Sequence, residues 1–143
     1  MTNESVIESA PSSGKMFSLG QIVLATFLGA PLGGSLLVAQ NYRVLQKPKA
    51  AGQSIVYGVV STVILFIVAF LLPEKFPNSV LPLIYCFAMR QLISYLQGDA
   101  IAGHYACGGA KASWFVAIVL GIVVLVVLFA FVFAAFMLNA MLQ

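Results

Sequence analysis

Four long apolar runs decide most of what this chain can fold into: Phe17 to Gln40, Ile55 to Leu72, Val80 to Gln97 and Trp114 to Met137. A bilayer core of roughly 30 Å is crossed by about 20 apolar residues in a helix. The runs are continuous rather than alternating, so they read as helices and not as barrel strands. The expected fold is all-α: a polytopic membrane protein with a four-transmembrane-helix bundle made of two helical hairpins.

Composition removes the alternatives. With 62% hydrophobic and 8% charged residues among 143, the chain cannot cover a soluble globule, which carries about 25% charged residues. The same figures exclude intrinsic disorder, and two cysteines cannot make a disulfide framework. The first 16 residues hold Glu4, Glu8, Pro11 and several serines, without the basic start and short apolar stretch of a signal peptide. They read as a disordered tail ahead of a membrane domain over 17–143. No connection is long enough for a catalytic domain, and Pro73 and Pro77 in the second one predict that the second and third spans pack as antiparallel neighbours.

Counting Lys and Arg places Arg43, Lys47, Lys49 and Lys111 on one side, with Arg90 expected to snorkel towards it, and Lys15 and Lys75 on the other. By the positive-inside rule the first set is cytoplasmic, which predicts both termini outside the cytoplasm, in a bacterial inner membrane. Pro48 is a natural first residue for the helix leading into the second span. Tyr42, Tyr57 and Trp114 near span ends fit an interfacial aromatic belt.

Inside the spans, two features need explanation. The first is Gly29-Ala30-Pro31-Leu32-Gly33-Gly34. Pro31 cannot donate its N–H to the preceding turn, which predicts a kink. Gly29, Gly33 and Gly34 form a small-residue ridge for close helix packing, read first as an intramolecular groove. A discontinuous helix lining a binding site is the functional reading. A faint parallel repeat relates Tyr42, Lys49 and Gly58 to Tyr105, Lys111 and Gly121, at a strength that chance can supply.

The second feature is the polar third span. Arg90 is the one ionisable group within any run, and such a residue costs about 2.5–3.5 kcal/mol on insertion scales. Arg90, Ser94 and Gln97 share a helix face with Gln91 and Tyr95 beside it, continuing towards Asp99 and His104. This stripe predicts contact with protein or solvent and is the candidate partner- or solute-binding surface. The bland account is a polar seam between helices. An arginine fork also suits carboxylate or phosphate.

Asp99, His104 and Cys107 are too few for a closed zinc site, which needs four ligands. No metal, cofactor or nucleic acid is expected. Cys86 and Cys107 read as free thiols. The spans contain no Asp or Glu, so the embedded glutamate of the small multidrug exporters has no counterpart. Nothing resembles a catalytic set, so the expectation is a non-enzyme. The first functional expectation is a small membrane protein that binds another membrane protein or a membrane-inserting polypeptide, as an accessory subunit or a toxin-immunity protein. The alternative is a homo-oligomeric channel or transporter for a small anionic solute.

Overall fold

The computed structural model describes residues 14–73, 75, 77 and 79–142. The expected disordered tail lies almost wholly outside these residues. The chain is all-helical: α1 (Leu19–Val44), α2 (Pro48–Leu71), α3 (Val80–Ala106) and α4 (Trp114–Met141). Of the four, α1, α2 and α4 are long and apolar enough to cross a membrane by length and composition. The polar middle of α3 sets it apart from them. α2 begins at Pro48, whose fixed φ and missing N–H suit a first turn. Ser113 caps α4 by accepting the Phe115 N–H at 3.2 Å.

Length misleads for α1, because its path is not straight. Gly29 (φ −110°, ψ 25°) and Ala30 (φ 54°, ψ −171°) leave helical geometry. The residue before a proline is pushed out of the α region, which accounts for the extended ψ of Ala30. Its φ is a left-handed value that alanine adopts only under strain.

The consequence is a reversal rather than a kink. The Phe17 N–H donates to Asn41 Oδ1 at 2.7 Å, and Asn41 Nδ2 donates to the Phe17 carbonyl at 2.9 Å, across 24 residues. In one continuous helix that separation would be about 36 Å. Close to the break, a Cβ on Gly33 would strike the Ala25 carbonyl, and one on Gly34 the Thr26 hydroxyl. α1 is therefore a helical hairpin with antiparallel arms, 19–28 and 31–44. The arms are about 15 and 21 Å long at helical rise.

Each arm rests on its own outer helix. Gly29 faces the Gly121 carbonyl and Val124 on α4, and Gly121 in turn faces Leu28 and Ala25. On the other arm, Gly58 of α2 lies against Ser35 and Leu32. The two glycines of the faint repeat are thus the places where α2 and α4 meet the hairpin. α3 packs on the hairpin as well. Met16, Phe17, Ile22, Ala25, Leu37, Val38, Ile93, Ile101 and Ala117 form the core around it.

α2, α3 and α4 each contact α1 but not one another among the described residues. The expected packing of the second span against the third is therefore not found. A groove lined by both helices and the 31–44 arm lies between them instead. Beyond the hairpin tip, residues 63–71, 80–92 and 125–141 contain no buried side chain.

Candidate functional site

The hairpin gathers polar side chains at its open end. The amides Gln21, Asn41 and Gln97 are fully buried, and His104, at 9% exposure, lies beside them. Asn41 bridges the arms and also donates to Gln97 Oε1 at 3.3 Å, while Gln97 Nε2 donates to the Val38 carbonyl at 3.2 Å. Gln21 Nε2 donates to the Ala112 carbonyl at 2.7 Å, and its Oε1 accepts the Ser18 N–H at 2.8 Å.

The segment entering α1 is pinned by the same end. Met16 pairs with the 110–112 backbone, donating to the Ala110 carbonyl (3.1 Å) and accepting from the Ala112 N–H (2.9 Å). The Tyr105 hydroxyl donates to the Met16 carbonyl at 3.0 Å. His104 Nε2 lies 3.2 Å from the Ala110 carbonyl, and Gly109 is seated under its ring where a side chain would collide. No buried side-chain nitrogen or oxygen among the described residues lacks a partner. The network is complete in itself and ties the chain together.

Near its tip the hairpin has a second polar link. The Leu32 N–H, one of the donors freed by the break, donates to Thr62 Oγ1 of α2 at 3.0 Å. Thr62 donates in turn to the Gly58 carbonyl at 2.8 Å. A side chain of the neighbouring helix thereby satisfies the broken backbone, as irregular structure at membrane depth requires.

The structure divides the α3 stripe. Gln97 and His104 point inward with Ile93 and Ile101, whereas Arg90, Gln91, Ser94, Tyr95 and Asp99 are exposed. At about 100° per residue, Gln91 and Tyr95 lie opposite Ile93. Arg90 and Ser94 occupy one flank of Ile93. Its other flank, through Met89, Leu92 and Leu96, lines a groove of about 270 Å³ between α2, α3 and the 31–44 arm. Pro31, Ser35, Tyr57 and Ser61 complete much of the groove wall. Pro31 lines this groove and Arg90 does not. Gly29, Pro31, Gly33 and Gly34 are all buried, with the ridge turned inward.

Sequence reasoning missed Gln21, Asn41 and Thr62. The available signal was their type, since uncharged polar side chains within apolar runs seek hydrogen bonds across helices. Among the described residues no group of three or more His, Cys, Asp or Glu could hold a metal ion. Cys86 and Cys107 are free thiols. A second, open cavity of about 640 Å³ lies between the far halves of α2 and α4, walled by Phe66, Phe70, Phe131 and Phe136. Compared with protein-family models, curated proteins and solved structures, the chain matches none.

Proposed function

We propose that this chain is a non-enzymatic integral membrane protein that binds another membrane protein or a membrane-inserting polypeptide. It would serve as an accessory subunit, or as an immunity protein that blocks a membrane-directed toxin. The observation that carries this reading is the exposed row Arg90, Gln91, Ser94 and Tyr95 on a helix of 27 residues. Such a helix is about 40 Å long, enough to cross the bilayer. An arginine and an amide turned towards acyl chains are costly, and a polar or acidic partner surface removes that cost. The proposed setting is a bacterial inner membrane, which suits helical crossings rather than an outer-membrane barrel.

The test is a photo-crosslinking residue at Tyr95, whose side chain is 89% exposed. In native membranes it should give a discrete heavier adduct that weakens when Arg90 is replaced by alanine. Recovery of uncrosslinked monomer alone would remove the proposal.

A channel or transporter built from several copies is the second reading, and the broken α1 helix favours it. Arg90 would then reach a pathway from one copy while Pro31 lines it from another. Anion flux in proteoliposomes that is equal for the natural chain and R90A would end that reading.

A further inference from the structure

The reversal of α1 changes which charges share an end of the molecule. Lys15 adjoins Met16, whose backbone pairs with residues 110–112. Arg43 and Lys47 adjoin Asn41 and the turn in which the Lys47 N–H donates to the Tyr42 carbonyl at 2.8 Å. Lys15, Arg43, Lys47, Lys49 and Lys111 are therefore at one end, all exposed. Lys75 lies between α2 and α3 at the other end, and Arg90 is partway along α3. Asp99 is the only acid among the described residues, seven positions before the end of α3. Trp114, the single tryptophan, is 46% exposed at the cationic end, with Lys111 Nζ 5.9 Å from its ring centre.

We propose that α1 is a re-entrant hairpin which dips into the bilayer from the cytoplasmic leaflet and returns to it, and that the five-cation end binds anionic phospholipid headgroups of that leaflet. The arms are about 15 and 21 Å long, so the tip stops partway through a core of roughly 30 Å. α2, α3 and α4 make the complete crossings. The amino-terminal segment is cytoplasmic and the end of α4 lies on the opposite face. Charge complementarity identifies the occupant: headgroup phosphates meet lysines and an arginine while Trp114 sits at the interface. This replaces the expectation of both termini outside, which followed from treating 17–40 as a crossing.

Three measurements test the proposal. In a background of C86A and C107S, single cysteines at Lys15, Lys47 and Lys75 are exposed to a membrane-impermeant maleimide in intact cells and in inverted vesicles. Cysteines replacing Lys15 and Lys47 should react only in inverted vesicles, and one replacing Lys75 only in intact cells. A reporter fused after Gln143 gives an independent reading and should be active outside the cytoplasm. Lys15 and Lys47 positions on opposite faces would overturn the re-entrant path. All three on one face, or the basic end outside, would overturn the orientation.

For the headgroups, Trp114 emission is followed while the detergent-solubilised protein is titrated with phosphatidylglycerol or phosphatidylcholine. Phosphatidylglycerol alone should shift the emission, with binding weakened roughly fivefold for each of K47Q, K49Q and K111Q. Equal responses to both lipids would overturn the headgroup assignment.

Discussion

Ala30 holds a backbone conformation that glycine adopts freely and alanine does not, at the one point where α1 must reverse (φ 54°). Ala30→Gly should raise thermal stability in detergent by up to about 1 kcal/mol, since relief of 1–3 kcal/mol of strain is partly offset by a freer unfolded chain. Ala30→Val should lower it. At Gly33 a side chain would collide with the backbone carbonyl of Ala25. Gly33→Leu should therefore separate the arms and cost at least about 1–3 kcal/mol in the same melting assay. Thr62 accepts the Leu32 N–H. Thr62→Val, which keeps the shape and loses the acceptor, should destabilise by about 1–3 kcal/mol, and Thr62→Ser should recover most of that. Pro31 and the glycine ridge were legible in the sequence as a break and a packing surface. The partner of the ridge was not, because small-residue spacing fits a neighbouring helix and the other half of the same helix equally well.

For whole elements, the sequence located four helices from apolar length alone, since burial in lipid imposes that length whatever the tertiary structure. It could not show that α1 turns back. A hydropathy window adds residues along the chain and is blind to direction, and the arms together have the apolar length of a crossing. What reveals the reversal is one amide, Asn41, bonded to both backbone groups of Phe17. Asn41→Leu should loosen that clasp, with hydrogen exchange at Phe17 rising at least tenfold while α4 exchange is unchanged. The α3 stripe shows a second limit. Helical periodicity placed Arg90 and Gln97 on a common side, but the line of contact with α1 takes in Gln97 and leaves Arg90 outside.

At the scale of the molecule, the hairpin is, among the described residues, the one element that touches all the others, while α2, α3 and α4 stand apart beyond its tip. Lipid or a partner has to complete that half, and the crosslinking and labelling experiments address it directly. The clasped amino-terminal segment also bears on how the protein is made. Met16 and Gln21 emerge early from the ribosome, yet the backbone groups that receive them, at Ala110 and Ala112, lie about ninety residues later. Closing so long a loop must wait until those residues exist. The segment around Met16 is accordingly among the last to lock, and a nascent chain stopped before residue 110 would carry a hairpin still open to membrane insertases and proteases.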